Sequence, residues 1–247
     1  MVRRALCLLL STSAAFLLSA CSGADAQRAT ELLAQSQAAQ AGIRSATYDA
    51  RLSISQGSKT YTLVMTGGGY LKGPRAGDQV LSMQGEGLPV PLNVGLVMSR
   101  GRAFVRANGA WQSFALPSGQ TNDTSSNWAG LSGQLTRYVK DVDVRENQVV
   151  AGERGTMVAG VVDTAGALKA LSGLDAFSRA TGGASPIFDE VRKRFSDMRV
   201  VLFISSRTHL VRSMVINLEI KLDDGTAKIQ MLYSLRSVNQ PVSIPNL

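Results

Sequence analysis

A two-residue alternation of apolar and polar side chains recurs along most of the chain and constrains its fold more than any other feature. It is clearest at residues 47–55, where Tyr48, Ala50, Leu52 and Ile54 alternate with polar residues. Because successive side chains of a β-strand point to opposite faces, this segment predicts a strand with one apolar and one polar face. Further strands are predicted at residues 59–66, 78–84, 93–99, 103–106, 142–150, 155–163, 199–205, 210–222 and 226–237.

Helical patterns interrupt the strands at a few places. Residues 30–44 are rich in Ala, Gln and Leu, and Thr30 is a suitable N-cap. Residues 127–140 and 164–181 carry apolar residues at helical spacing, and Ser185-Pro186 is expected to begin another helix. A parallel α/β fold would alternate strand and helix throughout, which this chain does not. The pattern therefore predicts an α+β fold on an antiparallel sheet, in one domain. Within it, Gly67-Gly68-Gly69 is expected to form a bulge or bend.

The N-terminus has the features of an export signal. Arg3 and Arg4 precede an almost wholly apolar run that ends at Leu18 and is too short to span a bilayer comfortably. Leu18-Ser19-Ala20-Cys21 resembles the bacterial lipobox, in which the cysteine thiol receives a diacylglyceryl group and becomes the first residue. We therefore expect a cleaved signal peptide at residues 1–20, a lipidated tether at 21–28 with an acyl (palmitate-type) anchor on Cys21, and one domain at 29–247. An ordinary secretory signal with an incidental cysteine is the alternative.

The composition excludes several classes of site. Cys7 lies in the signal, so Cys21 is the only cysteine expected in the mature chain, and His209 is the only histidine. An internal disulfide, a His/Cys metal site and a Cys–His nucleophilic pair are therefore excluded, and no metal or cofactor is expected. The net charge is +8, but the basic residues are scattered and lack the stacking aromatics of a nucleic-acid-binding surface. A modest positive charge instead favours anionic lipid headgroups.

Several segments together resemble one family of exported proteins. After the lipobox come an Ala/Gln-rich helix leading into Ser45-Ala46-Thr47, and Phe104-Val105 shortly before Gly109-Ala110-Trp111. Val149-Val150-Ala151-Gly152, Val158-Ala159-Gly160-Val161-Val162-Asp163, Val200-Val201-Leu202-Phe203-Ile204 and Pro241-Val242-Ser243-Ile244-Pro245 follow in order. Their order and spacing resemble the actinobacterial LppX, LprA, LprF and LprG lipoproteins, whose fold is related to the LolA and LolB lipoprotein carriers. The sequence departs at Phe203-Ile204-Ser205, where such carriers often have Trp-Ile-Asp.

The resemblance implies a strongly curved antiparallel half-barrel, with helices over its concave face and an apolar cavity between the layers. Family members bind acylated lipids or glycolipids and move or present them across the cell envelope. The implied protein is lipid-anchored at the outer face of the cytoplasmic membrane, binds a diacylated lipid or glycolipid, and has a membrane lipid exporter as a further expected partner. The apolar strand and helix positions give the cavity candidates: Leu52, Ile54, Leu63, Met65, Leu81, Met83, Met98, Phe104, Leu168, Leu171, Phe177, Met214 and Met231.

Three alternatives to a lipid carrier remain open. The first is a LolA/LolB-type carrier of lipoproteins, and the second is an anchored accessory protein whose core is filled and binds nothing. The third is an exported enzyme, which the residues disfavour. Ser125-Ser126-Asn127 is similar to an element of penicillin-interacting serine enzymes, but the Ser-x-x-Lys, Lys-Thr-Gly and Gly-x-Ser-x-Gly motifs are absent. No enzymatic activity is therefore expected.

Overall fold

The computed structural model describes residues 24–89, 91–107, 109–115, 139–163, 194, 198–223 and 225–247. Its helix and strands are α1 (Ala24–Gln40), β1 (Ser45–Gln56), β2 (Lys59–Tyr70), β3 (Gln79–Glu86), β4 (Leu92–Ser99), β5 (Arg102–Ala107), β6 (Gln112–Ala115), β7 (Val139–Val150), β8 (Glu153–Val162), β9 (Met198–Ser205), β10 (Val211–Leu222) and β11 (Gly225–Val238).

The strands form one open, curved sheet in which every neighbouring pair is antiparallel. Strands β1 to β6 lie side by side in chain order, and we call them the N-terminal meander. Strands β7 to β11 do the same and form the C-terminal meander. Pairing of β1 with β11 joins the two meanders into an 11-stranded sheet. The predicted fold class, a curved antiparallel half-barrel with helical cover, is confirmed.

The predicted strands are present, most of them one to four residues longer. Strand β6 was not predicted, because its four residues are all exposed and carry no buried alternation. Of the bulge or bend expected at Gly67-Gly68-Gly69, the bulge is wrong. Strand β2 continues through the glycines to Tyr70 and stays in register with both β1 and β3. The glycines instead permit close contacts. A Cβ atom on Gly67 would lie 2.7 Å from the ring of Tyr48.

The helix begins earlier than predicted. Helix α1 starts at Ala24, so residues 24–28 of the expected tether are helical. Thr30 is not the N-cap, because it lies inside the helix and its hydroxyl donates a hydrogen bond to the carbonyl of Ala26 at 2.8 Å. The residues before Thr30 include three alanines, which favour a helix, and Asp25 in the first turn complements the helix dipole. These features explain the earlier start. The helices predicted at 164–181 and from Ser185, and most of the one at 127–140, lie outside the described residues. Val139 and Lys140 belong to β7.

Helix α1 packs across the C-terminal meander. Ala29 and Leu32 belong to one buried apolar cluster with residues of β8, β9 and β10, among them Val158, Leu202 and Met214. Farther along the chain, Ala39 and Ile43 join a second cluster with Leu210, which immediately precedes β10, and Leu235 of β11. The helix of 17 residues is about 25 Å long. That length matches the roughly 24 Å from β7 to β1, at about 4.8 Å per strand.

The C-terminal segment closes the outer face where the two meanders meet. The hydroxyl of Ser45 in β1 donates to the carbonyl of Gln240 at 2.7 Å. The hydroxyl of Tyr70 in β2 accepts from the backbone N–H of Val242 at 2.9 Å, and Val242 is buried. The chain that follows β11 is thereby held against the outer face of β1 and β2.

Candidate functional site

The sheet face that carries helix α1 is continuous and apolar across both meanders. Directly opposed residues of antiparallel strands share a face, so the register identifies which side chains line it. One row across the sheet consists of Leu202, Met214, Tyr233, Ala50, Met65, Met83, Val94 and Ala107. The next row consists of Val200, Ile216, Met231, Leu52, Leu63, Gly85 and Leu92. We call this side the inner face.

Nine of the ten described cavity candidates lie on the inner face. They are Leu52, Ile54, Leu63, Met65, Leu81, Met83, Met98, Met214 and Met231. Phe104 does not join them, because it pairs with Val97 and Ser113 on the outer face. The remaining candidates, Leu168, Leu171 and Phe177, and the expected lipidation site Cys21 lie outside the described residues.

The inner face has two parts, which differ in how deeply their apolar side chains are buried. In the C-terminal meander Val200, Leu202, Met214 and Ile216 are buried in the cluster that includes helix α1. In the N-terminal meander the corresponding candidates on β1 to β4 are only half-buried: Leu52, Ile54, Leu63, Met65, Leu81, Met83 and Met98. None of these seven belongs to either cluster of the described residues. They form a surface of aliphatic side chains, three of them methionines, whose flexible thioethers adapt to differently shaped apolar partners.

Two tyrosines stand where the two parts of the inner face meet. Tyr48 of β1 and Tyr233 of β11 stack with ring centroids 5.8 Å apart and an interplanar angle of 29°. Burial raises the pKa of Tyr233 to about 12, with a further contribution from Tyr48, and burial also raises the pKa of Tyr48. Both phenols therefore remain protonated and uncharged at neutral pH. They place two hydroxyl groups within an otherwise apolar surface.

Sequence reasoning placed Tyr48 on an apolar face but did not single out the tyrosine pair. The alternation at residues 47–55 contained the signal for Tyr48, since it groups that residue with Leu52 and Ile54. Nothing comparable links Tyr48 to Tyr233, because the contact depends on β1 pairing with the last strand of the chain. The stacked rings belong to residues 185 positions apart in the chain, so their contact cannot be predicted from a local sequence pattern.

The outer face of β1 and β2 is largely polar. Hydroxyl pairs cross from β1 to β2 on this side, with Ser53 and Thr62 3.3 Å apart and Ser55 and Thr60 2.9 Å apart. Neighbouring residues of one strand thus face very different surroundings, as Met65 on the inner face and the exposed Thr66 on the outer face illustrate. Strands β1 and β2 are therefore amphipathic, and their chemistry favours an apolar partner on the inner face. On the outer face of β3 to β5, by contrast, the buried Val97 lies between Val80 and Phe104.

The described residues contain no constellation that would suggest metal chemistry. Within them, no group of three or more His, Cys, Asp or Glu side chains is placed to hold a metal ion. Among the same residues, no helix has the length and hydropathy needed to cross a membrane. The inner face of β1 to β4 is the feature with the most direct chemical meaning, because it can cover an apolar molecule.

The fold has counterparts among solved structures. LprF from Mycobacterium bovis superposes with a TM-score of 0.53 at 14% identity, over 91% of this chain and 99% of LprF. Lipoprotein LppX from Mycobacterium tuberculosis gives 0.46 at 18% identity, over 87% and 98%. A LolA superfamily protein from Nitrosomonas europaea gives 0.29 at 9% identity, over 89% and 94%. No protein-family model and no curated protein matches the sequence. The chain has the fold of LprF, as its resemblance to the LppX, LprA, LprF and LprG lipoproteins predicts.

Proposed function

We propose that this protein is a cell-envelope lipoprotein that binds acylated lipids or glycolipids in an apolar cavity and carries or presents them across the envelope. In this proposal residues 1–20 are a cleaved signal peptide, Cys21 bears the lipid anchor, and residues 29–247 form the lipid-binding domain. The anchored domain lies at the outer face of the cytoplasmic membrane, where a membrane lipid exporter would supply or receive the lipid. The domain has no enzymatic role.

One observation carries the proposal: the inner face of β1 to β4 is apolar but only half-buried. Leu52, Leu63 and Met65 lie next to one another across the register and belong to neither buried cluster of the described residues. A contiguous apolar surface of this kind is uncommon on proteins that bind nothing. The same rows continue into the buried core beneath helix α1, so a molecule placed there would meet a preformed, curved apolar wall.

Energetics favour enclosure of the acyl chains by such a wall. Burial of a lipid chain contributes roughly 0.8 kcal/mol per CH₂, so two chains of ordinary length represent more than about 20 kcal/mol against exposure to water. Surface contacts cannot match that energy. The half-buried methionines Met65, Met83 and Met98 suit tails of varied shape, because thioether side chains change rotamer at little cost.

The test is extraction of the purified protein. The mature chain is isolated from its native envelope, washed free of loosely bound detergent and lipid, and extracted with organic solvent for mass spectrometry. We expect about one diacylated lipid or glycolipid per protein, in addition to any acyl group covalently attached at Cys21. A clean extract would contradict the proposal and favour the accessory protein with a filled core, whereas bound acylated peptide would favour the LolA/LolB-type carrier of lipoproteins.

A further inference from the structure

Positive charge is concentrated at one end of the sheet. This end comprises the connections before β1, between β2 and β3, between β4 and β5, between β7 and β8, and between β9 and β10, with the strand termini beside them. Six exposed basic residues lie there without a carboxylate partner among the described residues. We call these six residues the basic rim: Arg44, Lys72, Arg100, Arg102, Arg154 and Arg207.

The acidic residues at this end are already neutralised. Asp78 pairs with Arg75 at 3.0 Å, and Glu153 pairs with Arg212 at 3.0 Å. Arg102 donates a hydrogen bond to the hydroxyl of Ser113 at 2.9 Å, which leaves its charge unbalanced. The basic rim is therefore a positively charged surface without compensating carboxylates, and it extends along one end of the curved sheet.

The opposite end of the sheet has a different charge pattern. There three basic residues are matched by acids: Lys140 with Asp163 at 3.7 Å, Arg194 with Asp223 at 3.2 Å, and Lys228 with Glu219 at 3.9 Å. The exposed bases Lys59, Arg199 and Lys221 also lie at this end, together with the exposed acids Glu86 and Asp141. The positive potential of the molecule is thus directional. A negatively charged surface would attract the rim end of the sheet more strongly than the opposite end.

Exposed apolar side chains flank the basic rim on both sides. Phe114 is 51% exposed and lies in the edge strand β6, opposite Ala103. Val149 is 62% exposed and lies in the other edge strand, β7, opposite Arg154. Both residues are within one position of the strand terminus at the rim. Cations with exposed apolar residues beside them match a bilayer interface, which offers anionic headgroups and adjacent acyl chains.

The position of helix α1 supports the same orientation. Arg28 near the start of the helix pairs with Glu146 of β7 at 2.9 Å, and Glu146 is four residues from the rim end of that strand. Cys21 precedes Ala24 by three residues, a reach of about 10 Å at most. A lipid on Cys21, as the proposed function requires, would therefore enter the bilayer on the side of the molecule that carries Val149.

We propose that the basic rim docks the domain on the surface of an anionic bilayer, with Phe114 and Val149 inserted at its two sides. This inference rests on the proposed function for its purpose, since docking would set one open end of the curved apolar wall against the membrane. The basic rim is distinct from the inner face, although Phe114 beside it shares that face through Ala103 and Met98. Recognition by the rim is electrostatic, so it depends on headgroup charge and not on the identity of the bound lipid.

The test uses the mature chain, residues 21–247, with Cys21→Ser so that no anchor contributes. Its partition onto vesicles of phosphatidylcholine and phosphatidylglycerol at 7:3 is measured by flotation and compared with pure phosphatidylcholine. We expect binding to the anionic vesicles that is lost at high salt, and little binding to the neutral vesicles. Absence of binding to the anionic vesicles at low salt would overturn the proposal.

Two matched triple variants locate the docking surface. The rim variant Arg100→Glu, Arg102→Glu, Arg207→Glu should weaken the partition at least about 100-fold. The control Lys59→Glu, Arg199→Glu, Lys221→Glu makes the same change in net charge at exposed positions of the opposite end, and should weaken it less than about threefold. Equal loss in both variants would overturn the proposal.

A further double variant tests insertion of the apolar residues. Phe114→Ser with Val149→Ser should lower the partition onto anionic vesicles about tenfold, and an unchanged partition would refute their insertion.

Failure of docking and failure of the proposed function are separable. Circular dichroism and thermal unfolding identify any variant that has lost its fold. If lipid is extracted from the native protein but the anionic vesicles do not bind it, the docking inference fails and lipid binding stands. If the vesicles bind the protein in a rim-dependent way but no lipid is extracted, docking stands and the carrier function fails.

Discussion

The N-terminal and C-terminal meanders present the same pattern of apolar side chains on the inner face but differ in what lies over it. Leu202 and Leu63 are both leucines at inner-face positions of antiparallel strands, yet Leu202 is buried beneath the helix cluster and Leu63 is half-buried. In one meander the alternation produces a protein core. In the other it produces an apolar wall that we propose is completed by lipid. The comparison shows that period-two alternation determines which side chains share an apolar face of the sheet. It does not determine whether protein or another molecule covers that face.

The strongest test of this comparison introduces charge into the N-terminal meander. Met65 and Met83 are direct cross-strand partners on the inner face. We expect Met65→Glu with Met83→Glu to abolish stoichiometric lipid content, because two carboxylates cannot be buried against acyl chains without a large desolvation cost. Lipid per protein is measured by extraction and mass spectrometry.

The control for this pair lies one register position away. Thr66 and Ser82 are cross-strand partners on the outer face of the same two strands. Thr66→Glu with Ser82→Glu makes the same change of charge and should leave lipid content unchanged. Equal lipid loss in both double variants would mean that the effect arises from damage to β2 and β3 and not from contact with lipid.

The second test compares the stability of the two meanders directly. Leu202→Ala should lower the free energy of unfolding by about 3 kcal/mol, because it leaves a cavity in a closed core. Leu63→Ala in lipid-free protein should cost less than about 1 kcal/mol, since its side chain loses little burial on truncation. Urea unfolding monitored by circular dichroism measures both. Similar losses at the two positions would show that the N-terminal inner face is already a closed core.

The third test uses Tyr233, at the junction of the meanders. Its folded-state pKa of about 12 lies above the usual value of 10 because burial disfavours the phenolate. Below about pH 10 the phenol is protonated in both the folded and unfolded states. Between pH 10 and 12 the unfolded state releases its proton first, so stability should fall by up to about 2 to 3 kcal/mol. The pH dependence of urea unfolding measures the fall.

A variant of Tyr233 tests whether this residue causes the loss of folding stability at alkaline pH. Tyr233→Phe removes the titrating group and should flatten the decline between pH 10 and 12, with a residual slope from Tyr48, whose pKa is also raised by burial. Ultraviolet difference spectra should show one phenol ionising well after the others. If the decline in the variant matches that of the parent, the junction is open to water and the two tyrosines are not a buried boundary.

The smallest expected effect concerns the close approach of β2 to Tyr48. Gly67→Ala should cost about 1 to 2 kcal/mol, because its new Cβ would lie 2.7 Å from the tyrosine ring and 2.9 Å from the carbonyl of Val80. Gly109→Ala is the matched control, since its nearest neighbour would be 3.7 Å away, an ordinary contact. Thermal unfolding compares the two. A larger loss for Gly109→Ala would contradict the packing described for the inner face.

Much of the fold could be predicted from the sequence, for reasons that particular segments illustrate. Strands such as β1 and β10 carry long alternation with clear turn residues on either side, so local pattern identified them. Strand β6 has four exposed residues and gave no signal. The start of helix α1 was misplaced because Thr30 looks like a cap in sequence, whereas its hydroxyl bonds back to Ala26 within the helix. Capping residues are recognised by backbone geometry, which sequence does not contain.

The candidate site was only partly predictable. Strand periodicity grouped nine apolar residues that do share the inner face, because the period of a strand is fixed at two. Phe104 lies on the outer face, since alternation within the short strand β5 is too brief to establish which of its faces matches the inner one. The pairing of Tyr48 with Tyr233 and the collection of the basic rim from separate connections depend on sheet topology, which joins positions far apart in the chain.

Photolabelling of the bound lipid tests the central claim most directly. A fatty acid with a diazirine near its methyl end is incorporated into the lipid-free mature protein, irradiated, and the labelled residues are identified by mass spectrometry. Labels are predicted on inner-face residues of β1 to β4, such as Leu52, Leu63 and Met65, and not on their outer-face neighbours. Labels divided equally between Met65 and Thr66, or absent from these strands, would contradict the claim that this wall holds an acyl chain.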